Sequence, residues 1–141
     1  RHKQPFEVGN NTNFTNTIMD IKAILWVFLG GGLGSSLRYL ISILFKSTNT
    51  NFPFATLAAN IIGCLLIGLL LGYFNRLELM REELTLFLMI GFCGGLTTFS
   101  SFTLDLFNLT KATSMVYPFI YFTATICLGT LSLLFGLWLS R

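Results

Sequence analysis

Charge is scarce in this sequence, and its scarcity excludes most soluble folds. Only 11% of the 141 residues are charged, whereas a water-soluble domain carries about 25%. That leaves too little polar surface to cover a water-soluble globule. The net charge of +3 is small and the charges stand singly, so no basic patch invites nucleic acid. The single histidine, His2, lies in the N-terminal stretch, which excludes histidine catalysis inside the fold. Cys64, Cys93 and Cys127 are widely spaced within apolar runs. With no CxxC and no cysteine–histidine cluster, neither a zinc site nor a disulfide framework is expected. The cysteines read as small buried or lipid-facing residues.

What is abundant is apolar. The hydrophobic fraction is 53% and the mean hydropathy is +0.71. Four apolar segments follow one another at about 21–45, 54–74, 84–109 and 116–139. Each supplies roughly the 20 residues that cross about 30 Å of hydrocarbon as a helix. Backbone in lipid must satisfy its own hydrogen bonds, so helices are expected. The fold class is therefore an all-α membrane protein of four transmembrane helices, at 21–141. Residues 1–20 are polar, rich in Asn and Thr, and read as an N-terminal extension. Met19 opens the more native-looking stretch MDIKAILWVFLGGG. Pro53 and Pro118 sit near helix starts, where a missing N–H costs little. Orientation is weakly specified: Lys22, Arg76, Arg81 and Arg141 fall on one side, Lys46 and Lys111 on the other.

Several residues are costly in lipid. Arg38 lies well inside the first segment, in GGGLGSSLRYL. It either snorkels to the headgroups or holds open an aqueous vestibule that attracts anions. Asn60, in ATLAANIIG, either bonds another helix or lines a pore. The third segment contains GFCGGLTTFSSF, a poor uninterrupted helix, because glycines weaken it and Ser and Thr offer competing bonds. Two readings stand: close glycine packing, or a helix broken over Gly94–Thr98 whose freed carbonyls bind a cation. Phe99 and Phe102 share one helix face at i, i+3, and their positive ring edges suit a dehydrated anion if that face lines a pore. Asp105 either caps a helix end or pairs with a base. Tyr121 and Thr125, one turn apart, form either a polar track or ordinary helix packing.

The motifs GGGLGSSLRY, ATLAANIIG and above all GFCGGLTTFSSFTLD resemble those of the small bacterial fluoride channels, the CrcB or Fluc family. The resemblance runs from about Leu25 to the C-terminus. It implies a passive, fluoride-selective channel built as an antiparallel homodimer of dual topology in the cell membrane, with two fluoride pathways and a broken third helix. It also implies a structural sodium ion on the dimer axis, bound by the backbone carbonyls of Gly94 and Thr97. The family's pore residues map to Phe99, Phe102 and Asn60, its vestibule arginine to Arg38, and a further polar position to Thr56. Tyr121 and Thr125 match the fourth-helix pattern, although Gly129-Thr130 falls one position late. Asp105 stands where the family usually has Glu. The implied partners are a second copy of the chain, fluoride and the lipid bilayer.

Two other classes compete. A small proton-coupled multidrug exporter needs a membrane-embedded carboxylate, whereas the first segment carries Arg38 and Asp105 lies near a helix end. A non-transporting membrane scaffold does not account for polar groups clustered at one depth. An enzyme is not expected, because the sequence offers no nucleophile–base pair.

Overall fold

A computed structural model describes residues 14–46, 52–77 and 82–140. Among these residues every regular element is a helix. Helix α1 spans Phe14–Leu44 and α2 spans Phe54–Leu77. The third crossing comprises α3 (Glu82–Leu84), a π-helix (Thr85–Cys93), α4 (Gly94–Leu96) and α5 (Phe99–Ala112). Helix α6 spans Val116–Leu139. Four stretches are long and apolar enough to span a bilayer: Ile21–Leu44, Phe54–Arg76, Glu82–Ala112 and Val116–Leu139. Their outer faces expose Leu, Ile, Phe and Trp side chains, a surface that lipid rather than water solvates.

Helix α1 begins at Phe14, earlier than the apolar run at 21. Once a helix exists, each further residue adds a bond at little cost, so it propagates back through polar sequence. The expected extension at 1–20 therefore falls partly in α1, and residues 1–13 lie outside the described residues. So do Arg81 and Arg141, which enter the charge balance across the membrane.

Glycines decide which helices touch. Helix α1 lies along the π-helix and α4, and α2 lies along α6. At Gly34 a Cβ would run into the Phe92 carbonyl and the Leu96 N–H, and at Gly95 it would meet the Gly31 carbonyl at 2.5 Å. Backbone packs directly on backbone there, as small residues allow in membranes. The same holds between α2 and α6, where Gly68 abuts the Leu133 carbonyl.

The third crossing departs from regular α-helix twice. Its first half is π-helical, and the Gly94 N–H reaches back to the Met89 carbonyl. Further on, Thr97 (φ −75°, ψ 152°) and Thr98 (φ −151°, ψ 121°) are extended. Gly94, Gly95 and Leu96 remain helical, so the non-helical stretch is narrower than the Gly94–Thr98 expected. The Thr97 N–H donates to the Cys93 carbonyl at 2.9 Å and closes the last turn of α4. Extended backbone suits β-branched residues. The Thr98 hydroxyl then caps α5 by accepting from the Ser101 N–H at 3.2 Å.

Candidate functional site

The threonine pair organises the polar interior. The Thr98 N–H donates to Asn60 Oδ1 at 2.8 Å, and Asn60 Nδ2 donates to the Thr98 carbonyl at 3.3 Å. Asn60 therefore bonds the extended backbone between α4 and α5 rather than another helix, while its side chain also lines the cavity described next. In a continuous helix the Thr98 N–H would bond the Gly94 carbonyl and the Ser101 N–H the Thr97 carbonyl. Both donors are diverted here, to Asn60 and to the Thr98 hydroxyl.

Two cavities flank this point. One, of about 350 Å³, is lined by Asn60, Thr97, Thr98, Phe99, Phe102, Thr125, Gly129 and Thr130, together with Cys64, Ile67 and Ile126. The other, of about 300 Å³, is lined by Ser35, Arg38, Tyr39, Ser42, Ala55, Thr56 and Ser101. The Thr98 hydroxyl lies 3.2 Å from the Ser101 hydroxyl, so a bonded pair of side chains divides the two spaces.

The anticipated residues are thus sorted. Arg38 and Thr56 share the second cavity, and Asn60, Thr97, Phe99, Phe102 and Thr125 share the first. Tyr121 lines neither cavity: it is fully buried, with its ring 5.3 Å from that of Phe102. Gly94 lies apart on the exposed surface, where a Cβ would meet nothing within 4 Å. Phe99 and Phe102 have ring centroids 5.8 Å apart, yet Phe102 is 4% exposed and Phe99 is 77% exposed.

Among the described residues, Asp105 neither caps α5 nor meets a base. Its Oδ2 accepts from the Thr56 hydroxyl at 2.6 Å and lies 3.5 Å from the Tyr121 hydroxyl. Thr125 spends its proton on the Tyr121 carbonyl at 2.8 Å, so towards the cavity it offers lone pairs. The late Gly129-Thr130 pair still reaches the cavity beside Thr125.

Sequence reasoning missed Ser35, Tyr39 and Ser42 around Arg38. Their signal was present, because with Arg38 they follow i, i+3, i+4, i+7, one helical face. Ser101 and the π-helix were also missed, and TLFLMIGFC carries no pattern that separates a π-helix from an α-helix.

The first cavity is lined by an amide, hydroxyls and aromatic rings, and the second by hydroxyls around Arg38. They suit a small ion that trades water for many weak partners. A sequence comparison fits that chemistry. The family described as CrcB-like protein, Camphor Resistance (CrcB), matches residues 25–137, which takes in the two cavities and every residue sorted above.

The chain belongs to the CrcB-like family.

Curated relatives agree. A protein of Phocaeicola vulgatus named fluoride-specific ion channel FluC is 43% identical over 124 residues, covering 86% of this chain and all of the relative. A protein of the same name from Flavobacterium psychrophilum is 40% identical over 122 residues, covering 86% and 98%. One from Haemophilus influenzae is 46% identical over 89 residues, covering 63% and 56%. This CrcB-like protein is thus a multi-pass protein of the cell membrane, and its family is one of ion channels, not enzymes.

Proposed function

We propose that the protein is a fluoride-selective channel that lets fluoride leave the cell passively. The observation that carries this reading is the grouping of Asn60, Thr98, Phe99 and Phe102 around one cavity. Fluoride holds its water tightly, so a path must replace that water without trapping the ion. Ring edges, an amide N–H and hydroxyls are individually weak partners, and the ion can pass from one to the next. Arg38 in the neighbouring cavity draws anions in.

The working unit is an antiparallel homodimer with two pathways. Phe99 supports this, because a single subunit leaves its ring largely uncovered beside the buried Phe102. The weak charge bias supports insertion in both orientations.

A structural sodium ion fits the residues present. The carbonyls of Gly94 and Thr97 have lost the N–H donors of a continuous helix to Asn60 and the Thr98 hydroxyl, and carbonyl oxygen is the ligand that a hard cation takes. If bound, the ion would accept the lone pairs of those carbonyls and would add positive potential near the path. Thr98 and Asn60 keep the two carbonyls out of the helical ladder.

The test is fluoride efflux from proteoliposomes loaded with potassium fluoride, started with valinomycin and read with an electrode, with chloride in parallel. Fluoride is expected to leave fast and chloride to stay. Fluoride loss no faster than from protein-free liposomes would end this reading.

A further inference from the structure

Asn60 and Gly63 stand at i, i+3 on one face of α2, and both meet the extended pair Thr97–Thr98. The Asn60 amide accepts from the Thr98 N–H at 2.8 Å and donates to the Thr98 carbonyl at 3.3 Å. A side-chain amide that bonds both backbone groups of one residue does what a neighbouring strand residue would do. Gly63 is buried, and a Cβ there would overlap Thr97 Cγ2. That methyl cannot swing aside freely. It shares a β-branched side chain with Thr97 Oγ1, which donates to the Cys93 carbonyl at 2.9 Å.

We propose that Asn60 and Gly63 are positioning residues: this face of α2 is the template that holds Thr97 and Thr98 extended. Asn60 supplies the hydrogen bonds and Gly63 supplies the space. Through that backbone they set the start of α5, hence the aim of Phe99 and Phe102, and keep the Thr98 N–H from the Gly94 carbonyl. Asn60 then acts on the ion mainly through the backbone it holds. The flux part of the test rests on the fluoride reading, and the structural part does not.

Gly63 makes the test decisive, since it has no side chain to touch an anion. Any phenotype it shares with Asn60 must pass through Thr97–Thr98. Hydrogen exchange over residues 94–102 and fluoride flux are measured for wild type, Asn60→Ser, Gly63→Ala, Thr97→Ser and the double variant Gly63→Ala/Thr97→Ser. Asn60→Ser and Gly63→Ala are each expected to speed exchange about tenfold and to slow flux about tenfold. Adding Thr97→Ser to Gly63→Ala removes Cγ2, and the new Cβ then has its nearest neighbour, Thr97 Cβ, at 3.6 Å. The double variant is expected to return to the level of Thr97→Ser alone. Lost flux with wild-type exchange in Asn60→Ser would make Asn60 a direct anion ligand and overturn the proposal. So would a Gly63→Ala protein with wild-type exchange, or a double variant no better than Gly63→Ala. If wild type itself does not conduct, the fluoride reading fails while exchange still decides the positioning role.

Discussion

Phe99 and Phe102 differ in surroundings although one helical turn joins them. Phe102 is enclosed by the rings of Tyr121 and Phe122, at 5.3 and 6.1 Å, while Phe99 stands out from the subunit. Phe→Ile keeps bulk but removes the ring quadrupole whose positive edge would face the anion. Each Phe→Ile variant is expected to lose about tenfold or more in fluoride flux. Phe102→Ile should also lower the melting temperature, because it disturbs a buried ring cluster, whereas Phe99→Ile should barely change it. Flux assays with thermal melts in detergent check both halves, and wild-type flux in both variants would leave Phe102 a packing residue and remove Phe99 from the ion path. The motif revealed that the two residues share a face, because i, i+3 spacing fixes that. Their unequal burial depends on α6, which no local pattern encodes. Asp105 was misread for the same reason: its partners Thr56 and Tyr121 come from two other helices.

At the scale of the element, glycine serves two purposes in α1. Gly34 lies where a Cβ would strike the Phe92 carbonyl, while Gly32 faces open space. Overpacking costs about 1–3 kcal/mol, whereas Gly→Ala at a free helical position gains up to about 1 kcal/mol. Gly34→Ala is therefore expected to melt several degrees lower than wild type, and Gly32→Ala at or above it. Trp26 and Trp138 fluorescence during heating provides the readout. Equal melting of the two variants would show that α1 does not depend on this backbone contact. Which glycines of the run GGGLGSS pack was not legible in the sequence, since that depends on how α1 is rotated against the third crossing. The four spans themselves were legible because length and apolarity define a crossing. The π-helix was not, because a fully apolar run satisfies either helical period.

At the scale of the whole molecule, one subunit looks unfinished. Phe99 lies uncovered, and the surface at Gly94 is open. The Gly94 and Thr97 carbonyls have lost their helical donors to Asn60 and Thr98. Two carbonyls fall short of the oxygen shell that a hard cation takes, and a two-fold partner doubles the number. On the proposed reading, sodium binds only the assembled dimer and stabilises it, because a ligand of the native state shifts unfolding by mass action. Replacing sodium with N-methylglucamine is therefore expected to lower the melting temperature of the purified protein and to slow fluoride efflux. Returning sodium should restore both, with one concentration dependence. Asn60→Ser should weaken that dependence, since a Thr98 N–H released from Asn60 can return to the Gly94 carbonyl and compete with the ion. Melting and flux that ignore sodium altogether would separate the extended pair from cation binding and leave it only the task of aiming α5.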